Sequence, residues 1–468
     1  MTHNGYDGKS LGMLKRFNVK VGDLVYIETK QGNYSATILP RYEYSAPGRI
    51  VAKLENGYNI GVSIDKIKSI KRAGKNLNNS TAASDRGPFL KKNRTDTNTL
   101  EVVKNDTDQE TTNLSNDYPL VSLISTGGTI SSRIDYRTGG VRAALTAAEL
   151  YSSVPELKKY AYIEPEVLFS EYSENLTPKH WATIAKTIGE KILTKKYKGI
   201  VVAHGTDTMH YTASALSFAL QNLPIPVILV GAQRSSDRPS SDAALNLLGA
   251  TIMAIKSEIA GVFVAMHNSI SDDLVSIHLG TRVRKNHTSR RDAFKSIDIE
   301  PIAQVRGENV EVPEHNSEIS LSKRSTKFDK MIVKPNFNRN VTLLKFYPGF
   351  DPRWIHHSFE LGSKIIIMEG TGLGHVSREC IPAIKKAIDR QVLVFITSQC
   401  IWGKMNLNVY ETGRDLLSIG VIPLQNMLSE TAVVKAMWAL GNFRNMDGIK
   451  KVMSHNIANE ITNRIKVD

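Results

Sequence analysis

Two threonines in this chain stand on turns that glycine makes possible: Thr129 in Thr126-Gly127-Gly128-Thr129-Ile130, and Thr206 in His204-Gly205-Thr206-Asp207-Thr208-Met209. A threonine hydroxyl is a poor nucleophile at neutral pH and needs a base or relay to take its proton, commonly a lysine of lowered pKa oriented by a carboxylate. Asp207 supplies the carboxylate, and Lys285, in Thr281-Arg282-Val283-Arg284-Lys285-Asn286-His287, is the candidate lysine. Such a set implies an enzyme with a threonine nucleophile. Each residue taken singly has a plainer reading. A Gly-Gly turn is usually only a turn, Asp207 suits a helix N-cap, and Lys285 stands in a basic run that suits solvent. Their joint occurrence selects the catalytic reading.

The elements around these residues place them together. Leu120-Val121-Ser122-Leu123-Ile124 reads as a buried strand, and the glycines after it permit a sharp turn and a close backbone approach. Thr129 then stands at a strand end. Gly199-Ile200-Val201-Val202-Ala203 reads as a second strand, followed by a helical stretch over 211–220. Thr206 and Asp207 therefore lie beside a helix N-terminus, whose free N–H groups can bind an anion. A third strand over 261–266 precedes Lys285, and Ile225–Val230 supplies another ahead of Gly231-Ala232-Gln233.

This alternation predicts βα units and a parallel sheet over residues 118–310. A polar bridge over 311–340 leads to a second α/β unit over 341–468, with strands at Lys364–Met368 and Val392–Ile396. Residues 1–74 hold short alternating segments punctuated by glycine, the pattern of a small all-β, SH3-like barrel. Residues 75–117 are polar and bury too little to offset ordering, so they read as a flexible linker. The fold class expected is α/β: a two-domain core with parallel sheets, preceded by the barrel.

Composition bounds the rest. The chain has 468 residues, too many for one ordinary domain. No apolar run approaches the ~20 residues of a membrane span, and the opening residues lack the apolar core of a secretory signal. A cytoplasmic location without membrane contact is expected. Cys380 and Cys400 form no metal-site spacing and read as buried structural thiols. His204 and His210 lack a third ligand at sensible spacing, so no metal is expected. Gly370-Thr371-Gly372-Leu373-Gly374 invites a nucleotide-binding reading, yet the spacing is not Gly-x-Gly-x-x-Gly and no Walker lysine follows. The net charge of +14 exceeds what amide hydrolysis needs and is consistent with a polyanionic partner.

From about Tyr118 to the C-terminus, the paired threonine segments, in this order and followed by a lysine, resemble the bacterial-type L-asparaginase family. The resemblance implies that Thr129 is the attacking hydroxyl and that Thr206, Asp207 and Lys285 form the relay. It also implies that Ser173 and Glu174, in Glu171-Tyr172-Ser173-Glu174-Asn175, grip the substrate's α-carboxylate and α-amino group. Tyr136 lies in the region matching the family's mobile lid, which contributes a catalytic tyrosine. A homodimer is implied too, because the family builds its site across a subunit interface, with the Gly370–Gly374 loop near a neighbouring subunit's site.

Barrel, linker and core together resemble the family of D-type subunits of archaeal glutamyl-tRNA(Gln) amidotransferases, as do the Gln233–Asp242 and Gly370–His375 segments. That resemblance implies glutamine hydrolysis, with ammonia passing to a partner, the E-type subunit of the amidotransferase. The partner uses ATP and magnesium to convert Glu-tRNA(Gln) to Gln-tRNA(Gln). It implies a heterotetramer of two D-type and two E-type subunits, tRNA held mainly by the partner, and no cofactor in this chain. A free-standing L-asparaginase is the alternative, since asparagine and glutamine differ by one methylene, worth only ~1–3 kcal/mol in a pocket. A catalytically idle assembly protein is the third class, against which the intact catalytic set stands.

Overall fold

The computed structural model describes residues 6, 8–30, 32–39, 48–54, 59–72, 118–128, 132–134, 141–143, 154–234, 241–313, 319–327 and 330–463. Thr129, Tyr136 and the whole of 75–117 lie outside these residues. The chain divides into two units, Met1–Tyr118 with Tyr136–Gly139, and Pro119–Asp135 with Gly140–Asp468.

In the first unit a helix, α1 (Gly8–Arg16), precedes strands β1 (Leu24–Thr29), β2 (Asn33–Ile38), β3 (Arg49–Leu54), β4 (Asn59–Ser63) and β5 (Ile67–Arg72). All pair antiparallel in the order β4-β3-β2-β1-β5. Period-two alternation buries Val25, Ile27, Ala36, Ile38, Ile50, Ala52 and Ile70 against Leu14 and Val19. Five antiparallel strands with alternating burial stand where the short alternating segments were expected. Among the described residues no ladder joins β4 to β5; the 3-10 turn Ile64–Lys66 connects them instead.

The second unit begins with β6 (Leu120–Gly127), followed by a small antiparallel hairpin of β7 (Ser132–Ile134) and β8 (Val141–Ala143). Next come β9 (Tyr162–Glu171), α2 (Pro178–Thr194), β10 (Gly199–Ala203), α3 (Met209–Ala219), β11 (Leu220–Gln221), β12 (Pro226–Val230), α4 (Ala243–Lys256) and β13 (Ile259–His267). Strands β9, β6, β10, β12 and β13 are parallel neighbours. Their alternate residues feed two cores. Val201, Ile228 and Phe263 face the layer of α4, while Ile200, Val227 and Val264 face α2 and α3. Burial on both faces is why these strands read as continuous apolar runs.

The sheet does not stay parallel. The chain runs on through β14 (Val275–Leu279), then a separate hairpin of β15 (Val283–Lys285) and β16 (Phe294–Ser296), then β17 (Ala303–Arg306) and β18 (Asn309–Glu311). β14, β17 and β18 join the sheet antiparallel. Only a short loop separates β13 from β14, whereas a parallel return needs a dozen or more residues.

The polar bridge is not a free linker, since it carries β19 (Ser322–Lys323) and β20 (Ile332–Val333), which pair with β13 and β11. Arg324 fastens it further, donating to the carbonyls of Ser257 at 2.6 Å and Ala254 at 2.8 Å. Beyond it β21 (Val341–Lys345), α5 (Arg353–Glu360), β22 (Ile365–Gly370), α6 (Cys380–Asp389), β23 (Leu393–Ser398), α7 (Glu411–Ser418) and β24 (Ile422–Pro423) build a four-stranded parallel sheet. It is closed by α8 (Ser429–Asn442) and α9 (Met446–Ser454). Helix α8 locks the two halves together. Trp438 stacks on Phe218 of α3 with centroids 5.8 Å apart, and the hydroxyls of Ser214 and Thr431 lie 3.1 Å apart. The cysteine expectation holds for Cys380, which is buried, and fails for Cys400, which follows β23 on an exposed turn.

Candidate active site

Because β9, β6, β10 and β12 are parallel, their carboxyl ends share one rim, and the segments singled out for chemistry meet there. Gly127 and Gly128 adopt φ of 102° and 84°, a region L side chains avoid. A Cβ added at Gly127 would collide with the backbone of Glu171, and one at Gly128 with the backbone of Gly205. The turn that leads into Thr129 is thus pressed onto the turn that carries Thr206. Thr126 adds a fastening, its Oγ1 donating to the Ala203 carbonyl at 3.0 Å.

The second turn is fixed from the other side. A Cβ at Gly205 would come within 2.7 Å of the Ser173 Cβ, and Thr208 Oγ1 donates to the Ser173 carbonyl at 2.7 Å. Ser173 is buried against the turn and Glu174 is exposed beside it on the 3-10 turn Ser173–Asn175. Thr208 and Gly205 escaped the sequence reading, although both lie in the segment it quoted. Asp242 escaped it as well. At the N-terminus of α4 it accepts from the N–H groups of Gln233 and Arg234, each at 3.0 Å, and so ties the loop after β12 to the helix. An aspartate just ahead of a helical run was the available signal.

Lys285 completes the rim. It ends β15, and Val283, two residues earlier on the same face, is anchored in the core, so the lysine leaves the packed interior at the rim. Its Nζ lies 2.8 Å from Thr206 Oγ1 and 2.7 Å from Asp207 Oδ1. Thr206 is buried, whereas the Asp207 side chain is 68% exposed. Asp207 therefore serves the lysine and not a helix cap; the residue preceding α3 is Thr208, which makes no side-chain cap bond. Lys285 Nζ donates to Thr206 Oγ1, which leaves the Thr206 O–H for another acceptor.

Two histidines line the interior behind this set. His204 is fully buried with Nδ1 2.7 Å from the Gly205 carbonyl. A carbonyl only accepts, so Nδ1 carries the proton, and Nε2 has no partner among the described residues. Burial lowers the His204 pKa to about 4, partly offset by that hydrogen bond. His210 is lowered to about 3, first by burial and then by the positive charges of Arg284 and Lys285. Both are neutral at pH 7. Arg284, in turn, pairs with Glu430 of α8 at 3.0 Å, linking the rim to the second half.

Three family models match the chain: "GatD N-terminal domain" over residues 19–72, "Asparaginase, N-terminal" over 120–318, and "Glutaminase/Asparaginase C-terminal domain" over 340–453. The D-type subunit of glutamyl-tRNA(Gln) amidotransferase from Pyrococcus abyssi is 45% identical across 97% of this chain and 98% of its own length. The subunit of the same name from Thermofilum pendens is 42% identical across 99% and 98%. The chain belongs to the family of D-type glutamyl-tRNA(Gln) amidotransferase subunits. Membership of that family explains the shorter reach of the solved structures. The thermostable L-asparaginase of Thermococcus kodakarensis matches with a TM-score of 0.65 and 33% identity, and L-asparaginase I of Vibrio cholerae with 0.64 and 28%. Each is covered to 99% but covers only 74% of this D-type chain, and the match to the GatD N-terminal domain lies outside the two asparaginase domains.

Proposed function

We propose that this chain is the glutamine-hydrolysing subunit of a tRNA-dependent amidotransferase. The observation that carries the chemistry is the Lys285 amino group shared between Thr206 and Asp207 on the turn against which Gly128, the neighbour of Thr129, is pressed. The Thr129 hydroxyl attacks the side-chain carbonyl carbon of glutamine. Lys285, Thr206 and Asp207 move the proton that Thr129 loses toward the departing nitrogen, which leaves as ammonia. Water then attacks the glutamyl ester under the same relay and releases glutamate. The developing oxyanion requires fixed donors, and backbone N–H groups of the two turns serve. Ser173 and Glu174 hold the α-carboxylate and α-amino group, and Tyr136 contributes the catalytic tyrosine.

The relatives' name, which is that of one component of a larger enzyme, supports the remaining assignments. Ammonia passes to the E-type subunit, which binds ATP and magnesium and amidates Glu-tRNA(Gln) in the cytoplasm; this chain holds no cofactor and pairs with a second copy in a heterotetramer. Among the described residues no helix is long and apolar enough to cross a membrane.

A free-standing L-asparaginase would draw on the same core, but it leaves the match to the GatD N-terminal domain without a task. Ammonia release from glutamine and from asparagine, measured on the chain alone and then with the E-type partner and Glu-tRNA(Gln), separates the two. Low activity that rises with glutamine on addition of partner and tRNA is expected. Strong asparagine hydrolysis indifferent to both additions would replace the reading with the metabolic enzyme.

A further inference from the structure

The chain's positive charge is unevenly placed. Residues 1–72 hold 12 Lys and Arg against 6 Asp and Glu, whereas residues 118–468 hold 42 against 33. Charge is therefore concentrated in residues 1–72. Within the described residues of this segment the cations are at the surface. Lys20, Lys30, Lys68, Lys71 and Arg72 are all exposed, and Arg72 has a carboxylate partner, Asp23 at 2.5 Å.

Several of these lie around one pair of strands. The register sets Tyr26 of β1 directly opposite Lys71 of β5, and Val25 opposite Arg72. At the far end of the same pair the Lys30 N–H donates to the Lys66 carbonyl at 3.0 Å, which brings those two residues together. Alternation along β1 turns Leu24 and Tyr26 outward, 47% and 46% exposed, while Val25 and Ile27 enter the core. Leu24 and Tyr26 thus place apolar and aromatic area beside the lysine that stands across the strand.

We infer that the β1–β5 face of the N-terminal unit is a contact surface for structured RNA, with the lysines meeting backbone phosphates and Tyr26 stacking on an unpaired base. Polyanion contact is what concentrated, exposed cations favour, and an exposed aromatic among them suits a base, because every base has a π-face. A plainer account exists, since lysines on an edge strand such as β5 also discourage edge-to-edge pairing. It explains Lys68 and Lys71 but not Tyr26 or Lys30. The identity of the RNA as a tRNA rests on the proposed function; the surface itself rests on charge and exposure.

The test uses the full chain and Glu-tRNA(Gln) transcript, with affinity followed by fluorescence anisotropy as salt is varied. The triple variant Lys30→Glu, Lys68→Glu, Lys71→Glu is expected to lose about tenfold or more in affinity and to flatten the salt dependence by about two to three counterions. Tyr26→Ala is expected to weaken binding without altering the salt slope, as stacking does. A control triple on the second unit, Lys196→Glu, Lys330→Glu, Lys364→Glu, changes the net charge equally and is expected to leave affinity within about twofold. Should charge reversal impair folding, the Lys→Gln triple with an unchanged melting curve reads the same quantity. Equal losses from both triples would reduce the effect to net charge and overturn the inference. So would tRNA-stimulated ammonia release with an unaltered tRNA requirement in the N-terminal triple. RNA binding that survives where tRNA never stimulates glutamine hydrolysis would instead sink the proposed function and leave the surface standing. Loss of binding to the E-type partner in the N-terminal triple, with RNA affinity intact, would reassign the face to that protein.

Discussion

The turn after β6 and the turn after β22 share a composition and differ in what faces them. Both follow buried parallel strands and both are built on glycine. At the first, Gly128 meets the Gly205 backbone, so a second turn bearing Thr206 and Asp207 is within reach of Lys285. The second closes on itself: Thr371 and His375 exchange backbone hydrogen bonds at 2.9 Å, and a Cβ at Gly370 would come within 2.7 Å of the Gly374 carbonyl carbon. Glu369, at the end of β22, is already engaged by Ser429 at 2.8 Å and Lys345 at 3.3 Å. Glycine gives the chain permission to turn sharply. Chemistry arises only where the turn is held against groups that can move a proton.

The same contrast separates two lysine–carboxylate pairs. Lys285 pairs with an exposed aspartate, whereas Lys435 lies 2.5 Å from Glu460 with both side chains fully buried, and Lys435 also donates to the carbonyls of Met453 and His455. The largest expected effect follows. Lys285→Met lowers ammonia release from glutamine by about 10³-fold or more, as removal of a nucleophile's activating group does, and Thr129→Ala does the same. Asp207→Asn shifts stability by less than about 1 kcal/mol, because its pair is solvent-screened. Lys435→Met inverts the pattern. It strands a buried carboxylate and costs about 3–5 kcal/mol, read in urea unfolding, while the variant that remains folded still turns over glutamine. A Lys285→Met protein with full turnover would end the distinction between the pairs.

The two glycine turns can be set against each other in the same way. Gly128→Ala introduces a backbone collision at positive φ, and roughly 2–5 kcal/mol of destabilisation is expected with loss of turnover. Gly372 also has positive φ, 50°, but an added Cβ would meet nothing within 4 Å. Gly372→Ala should cost about 1 kcal/mol, and the chain alone should keep its activity. Equal melting shifts for the two variants would show that the first turn is not pressed as described.

How much of this was legible beforehand depends on the kind of information involved. The parallel strands were legible because burial on both faces leaves an unbroken apolar run, as in Val201–Ala203 and Val227–Val230. The antiparallel β14 was not, since a buried strand reads the same in either direction. Residue types marked Thr206, Asp207 and Lys285, but their meeting is a property of the β15–β16 hairpin, whose register no local pattern records. Ser173 was placed by resemblance; that it buttresses Gly205 is a contact between segments more than thirty residues apart. Cys400 was misread because the absence of a metal-site spacing carries no information on burial, and the chain turns outward after β23. The pairing of the bridge over 311–340 was not legible because two-residue strands such as β19 and β20 are too short to show a period.

A pH-dependent effect concerns the floor beneath the first turn. His204 is fully buried and its pKa is lowered to about 4 by burial, while the unfolded chain holds it near 6.5. Below pH 6.5 the unfolded state therefore binds a proton that the folded state refuses. Stability from this residue is fully present above about pH 6.5 and is lost as pH falls toward about 4, by roughly 3 kcal/mol in total at the outside. His210 and His278, each lowered to about 3, add to the same acid limb. His204→Asn keeps an N–H for the Gly205 carbonyl and removes the titration. Urea unfolding of the variant between pH 6.5 and 4 should show an acid limb shallower by about one proton, or ~1.4 kcal/mol per pH unit, with a smaller change at pH 7. Identical slopes in the two proteins would mean that the folded state admits the proton, and that the turn carrying Thr206 rests on a charged imidazole instead of a neutral one.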